Sequence, residues 1–355
     1  MNEAESERLA GVFEKQGYKM AEEITAADVV IINTCSVRES AENRVLGLVN
    51  NLLKKNRKKQ KVILTGCMVG SVTGNRRRFG LKELKRKLPQ VDEFKTIEDL
   101  IGETRTASKR KDRLHAFVPI MKGCDNFCTY CVVPYSRGQE KSRLFDEIVE
   151  EVKCLVRKGY RHITLLGQNV NSYYKNSKLK MKNAKLQRKI KNLRKKYNNN
   201  FAVLLAFFHE IQEIEKISFI TSNPWDLTDD IIEAMKLPKI DRCLHLPAQS
   251  GDDEILKKMN RPYTVAQYLK LVEKIHKKIP DIKISTDIIV GFPGETKKAF
   301  ENTVKLCKKV GFEKAYIAKY SPRLGTVAYK MKDSVSAQEK KRRWKVLDSL
   351  INQSG

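Results

Sequence analysis

The chain lacks any run of 18 or more apolar residues, so no segment is long enough to cross a bilayer as a helix. It also lacks a basic-then-apolar leader. Met1-Asn2-Glu3-Ala4-Glu5 is acidic, which argues against a secretory signal and places the chain, expected to be soluble and monomeric with no membrane partner, in the reducing cytoplasm. Disulfides are not expected there, so the eight cysteines read as thiols or metal ligands. Acids are scarce relative to bases: 42 Asp and Glu face 70 Lys and Arg, a net charge of +28. A field of that size attracts phosphate-rich partners, nucleic acid first. The competing reading is a lysine-rich surface that is merely solvated.

What is present has the size and composition of a globular protein. At 355 residues, 41% of them hydrophobic, the chain has room for at least two buried cores. Val29 to Asn33 is a continuous apolar run of the kind a doubly covered parallel strand shows, Glu39 to Leu53 reads as a helix, and Val62 to Leu64 opens a second strand. Cys35 follows the first strand and Cys67 the second. A right-handed crossover between parallel strands puts both thiols on one carboxyl edge, where open α/β sheets bind ligands. Two small buried cysteines are the alternative.

Residues 68–116 carry basic clusters, Arg76-Arg77-Arg78 and Lys109-Arg110-Lys111, around an amphipathic segment from Leu81 to Leu88. From Phe117 onward strand and helix alternate. Strands are expected at Phe117 to Met121, His162 to Leu166, Ile217 to Thr221, Arg242 to Leu246, Ile284 to Val290 and Ala315 to Tyr320. Five helices are expected near 146–158, 229–236, 251–259, 264–278 and 296–310. The fold class is therefore α/β: an N-terminal open parallel α/β domain over 1–105, then a partial (β/α)6 barrel over 106–335, then a C-terminal helix over 336–355. Residues 175–200 hold eleven Lys or Arg, six Asn and no acid, the composition of a mobile, solvated insertion.

The sharpest motif is Cys124-Asp125-Asn126-Phe127-Cys128-Thr129-Tyr130-Cys131, directly after a strand. Thiolates suit zinc and iron–sulfur clusters, but structural zinc takes four ligands in paired short spacings, and a fourth local ligand is lacking. Three thiolates on a four-iron cluster leave one iron open to chelate a small molecule and pass it an electron.

With Val132-Val133-Pro134-Tyr135-Ser136-Arg137-Gly138, this stretch resembles the radical S-adenosylmethionine methylthiotransferases, most closely the branch acting on isopentenyladenosine in tRNA. The resemblance runs nearly end to end. It includes Asn33-Thr34-Cys35, Gly66-Cys67-Met68, Leu165 to Tyr173, His245 to Gly251, Ile289 to Thr296 and Ser321 to Thr326. It implies two 4Fe-4S clusters: a radical cluster on Cys124, Cys128 and Cys131, and an auxiliary cluster on Cys35 and Cys67. It further implies that Tyr130, Gly167, Gln168, Gly291 and Glu295 shape the site for S-adenosylmethionine, the radical source for attack at carbon 2 of a modified adenine. tRNA, an electron-donor protein and a sulfur donor are the implied partners. Cys154, Cys243 and Cys307 read as buried.

The sequence departs from the family in its basic insertion, in Asn223 where a histidine is usual, in Ala248 where a valine is usual, and in ending at Gly355 without the family's small RNA-binding β-barrel. Met1 to Ser6 matches the stretch immediately after the cysteine of the family's Gly-Cys-Gln-Met-Asn motif. The expectation is thus an auxiliary cluster missing one ligand, and a sheet missing its first strand. Three alternatives stay open: action on threonylcarbamoyl-adenosine in tRNA, action on a ribosomal protein, and an RNA-binding iron–sulfur protein without turnover.

Overall fold

A computed structural model describes residues 1–55, 60–102, 109–110, 112–175, 179, 181 and 183–353. Two compact units divide the chain. The first takes Met1–Asp112, Lys122–Glu140 and Arg323–Tyr329, and the second takes Arg113–Met121, Lys141–Pro322 and Lys330–Gly355.

In the first unit the chain opens with α1 (Asn2–Lys15), a helix with Glu3 and Glu5 in its first turn and Lys15 in its last, the charge order its dipole favours. Leu9 and Val12 pack with Ile101 and cover half-buried Ile31. There follow β1 (Val29–Thr34), α2 (Glu39–Lys55), β2 (Lys61–Gly66), α3 (Cys67–Thr73), α4 (Leu81–Lys87), β3 (Glu93–Phe94) and α5 (Ile97–Ile101). The sheet is parallel in the order β1-β2-β3, with Thr34 opposite Gly66. Central β2 is buried from Val62 to Thr65, but β1 buries only alternate residues. The expected double covering of Val29 to Asn33 is present but uneven: Val30 and Ile32 are buried with Val45 and Val49 of α2, while Ile31 on the other face packs under α1 and stays half-buried. The segment Lys122–Glu140 adds α6 (Val133–Ser136) to this unit.

The second unit begins with β4 (His115–Pro119), β5 (Met121–Lys122), which straddles the division, and β6 (Lys141–Ser142). It continues through α7 (Phe145–Arg157), β7 (His162–Leu166), α8 (Ala184–Leu193), α9 (Asn200–His209), β8 (Lys216–Phe219), α10 (Asp229–Met235) and β9 (Cys243–His245). It then runs through α11 (Asp253–Lys258), α12 (Val265–Lys278), β10 (Lys283–Val290), α13 (Lys297–Val310), β11 (Lys314–Lys319) and α14 (Ala337–Ile351). Strands β4-β7-β8 and β9-β10-β11 form two parallel sheets. The bridge between Ile217 and Ile240, with Ile217 N donating to Lys239 O, joins them in chain order. This is the expected partial six-stranded barrel, and all five expected helices are in place.

The solvated insertion is corrected. Part of it lies outside the described residues, as does Lys111, but from Asn183 onward it folds. Asn183 caps α8, and Leu186, Ile190 and Tyr197 are buried in the barrel's core. Their spacing is helical and apolar, a signal that the lysines around them mask in a composition count. The next helix, α9, is like α8 outside the five expected. Asn199 accepts from Phe201 N and Ala202 N, and every residue from Phe201 to Phe208 is buried. A helix that is apolar all round gives no amphipathic period to detect.

Helix α14 carries an acid-sensitive end. Ser336 Oγ accepts from Glu339 N, and the Glu339 carboxylate takes Arg342 and Arg343. These hydrogen bonds hold it down to about 2 from an ordinary 4.5. Because the folded value lies below the unfolded one, this stabilisation is present above pH 4.5 and is lost as pH falls toward 2. Amide exchange over 337–343 is therefore expected to speed up across that window, and Glu339→Gln is expected to abolish the pH step.

Candidate functional site

In the first unit, register fixes where the two strand-end cysteines stand. With Thr34 opposite Gly66, Cys35 and Cys67 leave the same carboxyl edge as neighbours. Gly66 has φ +85°, and a Cβ there would lie 2.4 Å from Asn33 Oδ1 and 2.6 Å from Thr34 O, so only glycine fits. Thr34 Oγ1 ties the strand ends together, donating to Thr65 O at 2.6 Å and accepting from Met68 N at 3.0 Å. Cys67 is 3% exposed and Cys35 is half-buried. Burial pushes the Cys67 thiol up, while the positive charge of Arg137 and the backbone N–H of Ser36 oppose that. Ser36 Oγ and Thr65 Oγ1 are buried hydroxyls without a partner in the protein, and so are Ser136 Oγ and Arg323 Nε.

The cysteine loop belongs to the same unit. Cys124 N donates to Gly138 O at 3.2 Å, Cys131 N to Cys128 O at 2.9 Å, and Val133 N to Cys131 Sγ at 3.5 Å. Phe127 takes a left-handed φ of +48° between the first two cysteines, with Arg76 over its ring and bonded to Asp125 at 2.6 Å. Cys124, Cys128 and Cys131 are all half-buried, as is Tyr130. Burial, with Cys128 close by, pushes the Cys124 thiol to about 11. Among the described residues no three His, Cys, Asp or Glu side chains stand at metal-binding spacing. The loop carries its three thiols on one short segment without drawing their sulfurs to a point.

In the second unit, Gly167 and Gln168 follow β7, while Gly291 and Glu295 follow β10, at the carboxyl ends where barrels of this kind collect their chemistry. Gly167 lies against Met121 and Val170, and Gly291 against the Lys340 stem. Glu295 is deeply buried. Its Oε2 accepts from Gly291 N at 2.6 Å and from Arg343 Nη1 at 2.6 Å. Its Oε1 and the Gln168 Oε1 are buried without a partner. Burial raises the Glu295 carboxyl and Arg343 opposes that. Asn223 Oδ1 accepts from Arg261 at 3.3 Å.

Arg343, on α14, was not legible as a site residue because its partner lies 48 residues away. Arg343→Met leaves a buried carboxylate unpaired and is expected to cost about 3–5 kcal/mol, read as a lower urea midpoint. Pairing it with Glu295→Leu should recover most of the loss. The three remaining cysteines divide: Cys307 is buried, Cys154 half-buried and Cys243 exposed. The expected burial of Cys243 is corrected, because it is the outward first residue of a three-residue strand.

The Radical SAM superfamily matches residues 118–307, and the Uncharacterized protein family UPF0004 matches residues 1–92. The tRNA-2-methylthio-N(6)-dimethylallyladenosine synthase of Clostridium botulinum (strain Okra / Type B1) is 43% identical over 377 residues, covering 99% of this chain and 79% of that protein. The synthase of the same name from Thermoanaerobacter sp. (strain X514) is 43% identical over 374 residues, covering 99% and 76%. Among solved structures, the radical S-adenosylmethionine methyltransferase TsrM from Kitasatospora setae, with cobalamin and a [4Fe-4S] cluster, superposes with a TM-score of 0.56. It is 13% identical over 91% of this chain and 73% of that one. The cobalamin-dependent radical enzyme OxsB superposes with a TM-score of 0.52 at 10% identity, over 99% and 52%. At these identities the two structures speak for the fold alone. No helix among the described residues is long and apolar enough to cross a membrane.

Proposed function

The chain belongs to the tRNA-2-methylthio-N(6)-dimethylallyladenosine synthase family of radical SAM enzymes, and we propose from that premise that it adds a methylthio group to carbon 2 of isopentenyl-modified adenosine in tRNA. One observation carries this assignment beyond the family: two separate cysteine sets share the first unit, one on the sheet edge and one on the loop. A single electron-transfer site would need only the second.

The donor chemistry fits one iron–sulfur group in full and a second only in part, since the sheet edge offers two thiolates, Cys35 and Cys67. Cys124, Cys128 and Cys131 offer three soft thiolates and leave one coordination position for S-adenosylmethionine. Around Cys35 and Cys67 the unpartnered buried groups are polar: the hydroxyls of Ser36 and Thr65 and the amide oxygen of Asn33. When bound, these groups supply the electron that cleaves S-adenosylmethionine to an adenosyl radical and the sulfur that is transferred. Thr34 sets the separation of Cys35 and Cys67 through its two hydrogen bonds. We assign Tyr130, Gly167, Gln168, Gly291 and Glu295 to the S-adenosylmethionine site, with the free Oε1 atoms of Gln168 and Glu295 as acceptors for its amino or hydroxyl groups. An electron-donor protein and a sulfur donor complete the partners of a cytoplasmic monomer.

The deciding experiment is nucleoside analysis of tRNA from a host lacking the gene, before and after it is restored. The 2-methylthio derivative of isopentenyladenosine should disappear and return. Loss of a methylthiolated threonylcarbamoyl-adenosine instead would move the substrate to the sister reaction.

A further inference from the structure

A groove of about 220 Å³ opens in the second unit beside the turn that follows β8, walled by Pro224, Trp225, Pro262, Tyr263, Gln267 and Leu271. Nothing in the site described above uses it. Pro262, Tyr263 and Gln267 also line a wider opening of about 460 Å³, edged by Glu254, Lys257 and Asn260. Trp225 is half-buried and has firm backing. The Arg261 guanidinium carbon stands 4.4 Å from the Trp225 ring centre and 5.3 Å from that of Tyr263, and the two rings lie 5.8 Å apart, 26° from parallel. If arginine and tyrosine stood on opposite faces of the indole, their separation would be the longest of the three. It is not, so both back the same side. Arg261 is 6% exposed and is itself held, donating through Nη2 to Pro247 O at 3.0 Å and through Nη1 to Asn223 Oδ1 at 3.3 Å. A fixed guanidinium over one side of an indole locks the orientation of the ring.

The turn that carries Trp225 is tied to the loop after β7. Thr221 Oγ1 donates to Gly167 O at 2.9 Å and Thr221 O accepts from Val170 N at 3.0 Å. Asp226, the residue after Trp225, accepts from Asn169 Nδ2 and from Lys175 Nζ, each at 2.5 Å. The indole thus stands on the carboxyl face of the barrel, in a loop bonded directly to a residue assigned to the S-adenosylmethionine site.

We propose that this groove holds an unpaired nucleobase of the RNA substrate, other than the one that reacts, stacked on Trp225. The proposal rests on the reading of tRNA as substrate given above and adds a place where the strand is gripped. Shape and charge select the occupant. A flat aromatic wall rimmed by proline takes a planar ring, and every base has a face that stacks. Glu254 at the opening repels a phosphate and suits the amino edge of a base, while a chain of net charge +28 has cations to spare for the flanking phosphates. Holding a neighbouring base fixes how the reacting adenosine is presented, without contact with the atoms that react.

An RNA hairpin with an unpaired loop, and the same stem as a loopless duplex, test this by titration into the full chain. The hairpin should quench the indole fluorescence of the parental protein. That quench should be absent from Trp225→Phe, in which Trp344 is the remaining tryptophan. Trp225→Leu, which fills the space without stacking, should weaken hairpin binding about tenfold, while Trp225→Phe stays within about twofold. Duplex affinity should be the same in all three. Parental hairpin affinity in Trp225→Leu would overturn the proposal, as would an equal loss for hairpin and duplex, a quench that persists in Trp225→Phe, or a hairpin that does not bind the parental chain. Nucleoside analysis keeps the two readings apart. A methylthio nucleoside that returns with the gene, while Trp225→Leu binds the hairpin normally, removes the groove alone. A nucleoside that never depended on the gene, with the Trp225 quench present, removes the assigned substrate and leaves a groove that binds a base.

Discussion

Cys128→Ala is expected to yield no 5′-deoxyadenosine above background after anaerobic reconstitution, while unfolding at the parental temperature. Cys128 stands in the middle of the loop, between Cys124, whose thiol it influences electrostatically, and Cys131, whose N–H it accepts. Removing it leaves two thiolates where a cluster with one open iron needs three, and two do not retain one. The side chain contributes almost nothing to either core. The barrel is packed by Val118, Ile163, Leu165, Ile217 and Ile288 and by the helices around them, and the first unit by residues such as Leu64 and Val69. Loss of a half-buried sulfur from a loop should therefore leave the thermal transition in place. Iron content, the ultraviolet–visible spectrum and the cleavage assay separate the outcomes. Cofactor cleavage at the parental rate by this variant would move the radical site away from the loop.

Binding of tRNA is expected to weaken by about 10³–10⁵-fold between 50 and 200 mM salt, the range for a protein that contacts six to ten phosphates. With 70 Lys and Arg against 42 Asp and Glu, contact with phosphate releases many counterions. Much of the positive charge is already committed inside the protein, as in Arg343 with Glu295 or Arg137 with Glu5. The expectation therefore concerns exposed lysines, including those on α8, whose apolar stripe faces the core and whose lysines do not. Filter binding or fluorescence anisotropy across that salt range gives the slope. A constant that hardly changes would mean that the basic surface is only solvated, and that recognition rests on uncharged contacts.

The barrel was legible because each strand is a short apolar run, and each helix but one shows one apolar face. The exception, α9, has no polar face to reveal it, and α8 was hidden by its own lysines. Helix α1 gave no sequence signal because its partners, Ile31 and Ile101, are distant in the chain. The site shows the same division. Cys124, Cys128 and Cys131 announce themselves by spacing, and Cys35 and Cys67 by following strands. Arg137 and Arg343 matter through groups remote in sequence: Glu5 is 132 residues from Arg137, and Glu295 is 48 from Arg343. Periodicity and spacing report what happens within about two turns of a chain, and these contacts arise only when distant segments meet.

The first unit is assembled from three separate stretches of sequence, and this sets an order of events on the ribosome. Glu42 is shared by Arg78 and Arg323, and Arg323 also donates to Ser36 O beside Cys35. The last of the three stretches, Arg323–Tyr329, is made roughly 180 residues after Glu140, a wait of about 10–40 s at ordinary translation speeds. Throughout that interval the nascent N-terminal sheet holds its strand-end cysteines beside a carboxylate whose second guanidinium has not yet been synthesised. The sulfur-bearing edge is finished late, after nearly all of the barrel's strands have emerged.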